Sequence, residues 1–115
     1  GTVCSAIYLS DHGEDVYDVN NDAGHYYSGS MPKPNVEIPF IVWLSQAYQQ
    51  INRERVKTIT SNTNAPYVTD DLFHSILDLN DIQCIYFGKQ RSLFNSAFNA
   101  KRKRILEDQF DYDAK

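Results

Sequence analysis

Ile7-Tyr8-Leu9-Ser10-Asp11-His12-Gly13-Glu14 is the stretch on which the reading of the chain turns. Residues 3–9 are apolar and rich in β-formers, the composition of a strand. Polarity then reverses within one residue. Asp11 and His12 place two metal-ligand types side by side at the strand end. Gly13 permits a backbone turn that a Cβ would hinder. Open α/β sheets gather ligands at the carboxyl ends of their strands, so this corner is the first place to look for chemistry.

The pattern around the corner predicts an α/β fold. A near-continuous apolar strand over residues 2–9 suits a parallel or mixed sheet covered by helices on both faces. Residues 11–35 keep no period and carry Gly13, Gly24, Gly29, Pro32 and Pro34. They read as a long site-building loop that brings in His25. A second strand is expected near 36–44, with Pro39 at its entry and Phe40 and Trp43 burying large areas. Ser45 is placed to cap a surface helix near 46–58, whose apolar stripe is only Ala47, Ile51 and Val56. Thr69 is the expected cap of a helix near 69–80, with Asp70 and Asp71 in its first turn and Leu72, Phe73, Ile76, Leu77 and Asn80 on its apolar stripe. Residues 82–87 read as a short strand or extended packing segment ended by Gly88, and residues 91–98 as one or two turns. Residues 101–104 are a basic run, either a solvated face or a contact for anionic head groups, and residues 107–115 a frayed end.

At 115 residues the prior is one domain. A net charge of −4 argues against a nucleic-acid partner, which needs a basic face. The longest apolar run, residues 38–44, is far short of a membrane span and contains Pro39. Cys4 and Cys84 are too few and too far apart for a Cys-x-x-Cys motif, and are expected as buried, reduced thiols.

Asp11 and His12 are candidate ligands for Zn²⁺, yet a catalytic zinc needs three protein groups or more, so further ligands must come from elsewhere. The bland alternative is a polar turn, with Asp11 capping amides and His12 at the surface. His25 can donate to a phosphoryl oxygen or a leaving alkoxide, against the alternative of an exposed loop histidine. Glu14, Asp15 and Asp18 could orient His12, but a solvated acidic loop is the expectation. His74 is expected as a packed or surface helical histidine. No Gly-x-Ser-x-Gly and no phosphate-cradling glycine loop occurs.

Ser10-Asp11-His12-Gly13-Glu14-Asp15-Val16-Tyr17-Asp18 followed by Gly24-His25 resembles the sulfatase and alkaline-phosphatase-like superfamily. Within it, the likeness is to the bacterial phosphoethanolamine transferases that decorate lipopolysaccharide and related envelope glycans. Three later blocks in matching order extend it over residues 3–106. They are Glu37-Ile38-Pro39-Phe40-Ile41-Val42-Trp43-Leu44-Ser45, Tyr67-Val68-Thr69-Asp70-Asp71-Leu72-Phe73-His74-Ser75-Ile76-Leu77-Asp78-Leu79, and Arg91-Ser92-Leu93-Phe94-Asn95. The resemblance implies that residues 1–115 are a single partial domain, the C-terminal portion of an alkaline-phosphatase-like sheet flanked by helices. It implies a membrane domain and a nucleophilic Thr upstream, on the periplasmic face of the inner membrane. Asp11 and His12 match metal ligands, and His25 matches a histidine near the phosphoryl group. Zinc is the implied cofactor, with manganese or magnesium as the other divalent candidates. The implied reaction moves phosphoethanolamine from phosphatidylethanolamine to an envelope glycolipid, the fragment alone being inactive. The alternatives are a sulfatase or phosphoglycerol transferase of the same superfamily, or a non-catalytic α/β binding module.

Overall fold

The computed structural model describes residues 1–19, 21, 23–25, 31–106 and 110–114. They form two compact units, Gly1–Gln49 and Gln50–Lys115. Helices and strands are mixed along the chain, consistent with the α/β reading.

The first unit is built on β1 (Ser5–Leu9) and β4 (Phe40–Leu44), with two short strands, β2 (Asp15–Val16) and β3 (Ala23–Gly24), between them. β1 and β4 pair antiparallel, with Ile7 opposite Val42. This pair is compatible with the mixed alternative of the expected sheet and not with a purely parallel one. The two faces of this ladder also differ. Ile7, Phe40, Val42 and Leu44 are half-buried, whereas Tyr8, Ile41 and Trp43 are exposed. The expectation that both faces are covered fails here, and Trp43, at 56 % exposure, does not bury the area its size suggested. The reason is geometric. Side chains of a strand alternate in direction, so a continuous apolar sequence always fills both faces, whichever of them has a neighbour.

Ser45 behaves as its residue type predicts. Its hydroxyl accepts the Tyr48 backbone N–H at 3.1 Å, capping α1 (Gln46–Ile51), and the Cys4 N–H at 3.1 Å, tying the helix start to the strand. The expected single helix is interrupted at Asn52, whose φ of −111° and ψ of 44° lie outside the helical region. Asparagine's short amide competes with helical hydrogen bonding, which favours a break at this position. α2 (Arg53–Ser61) then resumes in the second unit.

In the second unit a 3₁₀ turn, Thr69–Asp71, leads into α3 (Leu72–Leu79). No side chain caps the helix start, so Thr69 does not serve as predicted. The buried face of α3 is also not the apolar stripe. His74, Ser75, Asp78 and Leu79 are buried, whereas Phe73 and Ile76 are exposed. Hydrogen bonding decides this orientation. The buried Ser75 hydroxyl accepts the Leu93 N–H at 3.0 Å and pairs with the Tyr67 hydroxyl at 2.8 Å. The Asp78 carboxylate accepts from Asn95 Nδ2 at 3.0 Å. Burial pushes the Tyr67 hydroxyl up to about 12. Leu93 and Phe94 fill the space beside these polar contacts.

Asp71 is not the exposed first-turn acid that its position suggested. It is buried, accepting from Arg91 Nε at 2.5 Å and Arg102 Nη1 at 2.9 Å. Three of the four residues of the basic run, Arg102, Lys103 and Arg104, are matched to carboxylates. Lys103 meets Asp111 at 3.0 Å, and Arg104 pairs with Asp113 while stacking on Tyr112. These contacts fold the end of the chain back as a hairpin of β5 (Ile105–Leu106) and β6 (Phe110–Asp111), where fraying was expected. Residues 107–109 and 115 of that segment, and Gly29 of the long loop, lie outside the described residues. Residues 82–87 form turns and not a strand, leaving Ile85 and Tyr86 exposed. Both cysteines are free and exposed, so the reduced state is as expected and the burial is not. Among the described residues no helix is long and apolar enough to cross a membrane.

Candidate functional site

β1 ends at Leu9 and delivers Ser10, Asp11 and His12 to the surface of the first unit. The corner is held by the backbone. The Ser10 hydroxyl donates to the His12 carbonyl at 2.6 Å, and the Asp11 carboxylate accepts the His12 N–H at 3.1 Å. Hydrogen bonding from its own backbone N–H and from that of His12 holds the Asp11 carboxyl below the usual carboxylate range. Gly13 works differently from the sequence argument. Its N–H donates to the Asn35 carbonyl at 2.9 Å, and an added Cβ would overlap the Pro34 carbonyl oxygen and come within 3.0 Å of the Glu37 carbonyl oxygen. Close approach of another backbone segment, and not turn geometry, is what excludes a side chain there.

The next residues enter a short hairpin. Asp15 is buried and its carboxylate accepts the Asp18 and Val19 N–H groups at 2.8 and 3.0 Å. A solvated acidic loop describes Glu14 but not Asp15, which builds the turn. In β2 and β3, Asp15 pairs with Gly24 and Val16 with Ala23. One step further along the same register, Glu14 faces His25. Gly24 adopts a φ of 138°, a conformation that side chains other than hydrogen resist, just before His25. The Gly24-His25 pair is thereby a swivel followed by a functional group.

Three of the residues singled out from sequence meet here. The His12 and His25 rings lie 3.9 Å apart between centroids, tilted by 60°. Glu14 Oε1 is 3.4 Å from His25 Nδ1 and 3.8 Å from His12 Nδ1. Ligand-type atoms of His12, Glu14 and His25 lie within 4.8 Å of one another. Asp11 stands beside this group, with Oδ2 at 3.8 Å from His12 Nε2. Its side chain is 88 % exposed and that of His12 41 %. His74 belongs to the other unit. Its Nδ1 accepts the Gly88 N–H at 3.1 Å, and it takes no part in the corner. Glu14 is the member that sequence reasoning undervalued. The signal for it was the two-residue ladder, too short to stand out as strands.

The donor set fits a divalent transition metal. His12 Nδ1 lies 2.9 Å from the Gly13 carbonyl, which can only accept, so this nitrogen carries the proton and Nε2 keeps its lone pair. Zinc bonds to imidazole nitrogen and carboxylate oxygen are each about 2.0–2.2 Å. An Nε2 to Oδ2 separation of 3.8 Å therefore lets one ion touch both without moving the backbone.

Comparison with known proteins bears on what such a corner belongs to. The family model described as Sulfatase matches residues 5–82. The chain belongs to the sulfatase family. It is 33 % identical over 90 residues to the phosphoethanolamine transferase EptA of Salmonella typhimurium, an alignment covering 72 % of this chain and 15 % of that protein. It is 26 % identical over 109 residues to the phosphoethanolamine transferase EptC of Escherichia coli, covering 86 % of this chain and 17 % of that protein. The crystal structure of the C-terminal periplasmic domain of Escherichia coli EptC superimposes with a TM-score of 0.74 at 27 % identity, over 95 % of this chain and 32 % of that one. This sulfatase-family chain thus spans about a sixth of the relatives' length and about a third of the solved domain.

Proposed function

We propose that this chain contributes the metal-holding corner of a phosphoethanolamine transferase, within a larger domain on the periplasmic face of the bacterial inner membrane. The observation that carries the reading is the 2.9 Å contact of His12 Nδ1 with the Gly13 carbonyl, which can only accept. With Nδ1 donating to Gly13, Nε2 and the Asp11 carboxylate present two lone-pair donors 3.8 Å apart at the end of a strand. The relatives' names support the transferred group, and the solved periplasmic domain supports the compartment. The exposed apolar face of β1 and β4 supports incorporation in a larger layer, since Tyr8, Ile41 and Trp43 side by side are costly to hydrate.

In this reading Asp11 and His12 hold a zinc ion, or manganese or magnesium in its place. Once bound, it supplies Lewis acidity, lowering the pKa of a nucleophilic Thr elsewhere in the protein and stabilising charge on the phosphoryl group. His25 donates from its ring to a phosphoryl oxygen or to the departing alkoxide. Gly13 and Asn35 keep the corner in register with the loop. The donor is phosphatidylethanolamine and the acceptor an envelope glycolipid; the 115-residue piece alone is inactive.

The test follows a labelled head group from phosphatidylethanolamine in the full-length protein, wild type against His12→Ala. Transfer that needs zinc and is lost in the variant is the expected result. Hydrolysis without transfer, or transfer of phosphoglycerol, would place the protein in another branch of the family. Undiminished transfer by the variant would return the corner to a structural turn.

A further inference from the structure

We infer that Glu14 is a positioning residue, which holds the His25 ring by its Nδ1–H so that Nε2 is the nitrogen presented to the phosphoryl group. The inference rests on the transferase reading above and adds a residue to it. Three observations carry it. First, the β2–β3 register, with Asp15 opposite Gly24, makes Glu14 and His25 the next cross-strand pair, on the face opposite the buried Asp15 side chain. Second, Glu14 Oε1 lies 3.4 Å from His25 Nδ1. The contact is long, as hydrogen bonds of catalytic groups often are before substrate tightens them. Third, Glu14 cannot serve His12 in the same way. The His12 Nδ1–H is already taken by the Gly13 carbonyl at 2.9 Å, and Glu14 stays 3.8 Å from it. One carboxylate thus lies between two imidazoles and is nearer to the Nδ1 of His25.

The chemistry follows from that choice. An ionised carboxylate accepts and never donates, so the Glu14 contact selects the tautomer of His25 with its proton on Nδ1. The lone pair then sits on Nε2, which takes a proton from an attacking hydroxyl and, once so protonated, donates it to the phosphoryl oxygen or the departing alkoxide. A carboxylate behind an imidazole has the same orienting role in hydrolytic triads.

The experiment combines a structural and a kinetic readout on the full-length protein. Imidazole ¹⁵N shifts of histidine-labelled protein should place the His25 proton on Nδ1 in the wild type and show mixed tautomers in Glu14→Ala. Glu14→Ala should lower kcat about 10–100-fold, the usual cost of removing an orienting group, with KM little changed. Glu14→Gln offers a carbonyl oxygen to the same N–H and should recover kcat to within about threefold, because a neutral acceptor still orients the ring. Bound zinc should be equal in all three proteins. A proton on Nε2 of His25 in the wild type would overturn the inference, as would loss of zinc in Glu14→Ala or a Gln variant as poor as Ala. The tautomer needs no turnover to be read. It therefore stands or falls separately from the transferase reading, which the His12→Ala assay decides.

Discussion

Asp71 and His74 in the second unit are the same residue types as Asp11 and His12 in the first, and their settings are opposite. The Asp71 side chain is 3 % exposed and receives two guanidinium groups, while His74 is buried with Nδ1 closed by the Gly88 N–H. Asp11 and His12 are held from behind by Ser10 and Gly13, with Oδ2 and Nε2 turned outward. In the first case the chain's own groups satisfy every lone pair that matters, so the residues fix the position of α3. In the second the chain satisfies one side of each residue, and the proposed metal would take the other. Residue type does not distinguish structural from functional carboxylates and imidazoles; the state of the remaining donor atom does.

The contrast can be broken most directly at its functional end. His12→Ala should lower transfer by about 10³-fold or more, on the scale of removing a group essential to the reaction. It should also abolish metal uptake, read by elemental analysis. Stability should shift by no more than about 0.5 kcal/mol, because the ring is part-exposed. A large loss of stability with zinc retained would make His12 another Asp71. At the structural end, Asp71→Ala leaves Arg91 and Arg102 without the carboxylate they share. Removing one partner of a buried ion network costs about 3 kcal/mol, toward the low end here because both arginines reach solvent. Urea denaturation measures that loss, and zinc content should not change. Lost zinc in a folded Asp71→Ala protein would mean that the two settings are coupled.

The sequence made the corner legible because its signal is local. A strand that stops on Asp11-His12 needs no tertiary information to be noticed, and Ser45 as a cap needs only three residues of context. What escaped was set by contacts distant along the chain. Glu14 and His25 are brought together by a ladder too short to show period two. Asp71 reads as an exposed first-turn acid until Arg91 and Arg102 arrive from 20 and 31 residues away. The face that α3 buries was misread for the same reason. Apolar periodicity selected Phe73 and Ile76, whereas Ser75 and Asp78 meet partners at Leu93 and Asn95 that no helical wheel displays. The antiparallel β1–β4 pairing was not legible either, because a continuous apolar run reports that both faces are hydrophobic, not which neighbour lies alongside.

A smaller effect sharpens the contrast at the join of strand and helix. Ser45 uses one hydroxyl oxygen for both the Tyr48 and the Cys4 N–H. Ser45→Ala should cost about 1 kcal/mol, the ordinary value for a lost cap, with metal affinity unchanged. Thermal unfolding checks it. A loss of zinc here would show that the cap also sets the position of the corner through β1.

The smallest expected effect concerns pH. Burial, followed by the positive charge of Arg91, holds His74 below its ordinary value of 6.5, and Asp71 only partly offsets this while Arg102 adds to it. The folded protein therefore keeps His74 neutral, with Nδ1 accepting from Gly88. As pH falls through about 6.5 the unfolded chain takes up a proton that the folded chain refuses, so stability declines. The decline ends once pH has passed below the folded value. Above the unfolded value both states are neutral and no dependence remains. His74→Gln, whose amide oxygen can accept the same N–H, should flatten the stability profile between pH 5 and pH 7 relative to wild type. The lowered carboxyls of Asp11, Asp81, Asp111 and Asp113 titrate below this window and leave the comparison clean. An unchanged slope in the variant would mean that His74 binds its proton equally well in the folded and unfolded states, and then the Gly88 contact could not be the one described. The second unit would in that case contain an imidazole that titrates as freely as in the unfolded chain, and the distinction drawn between the two Asp–His settings would fail at His74.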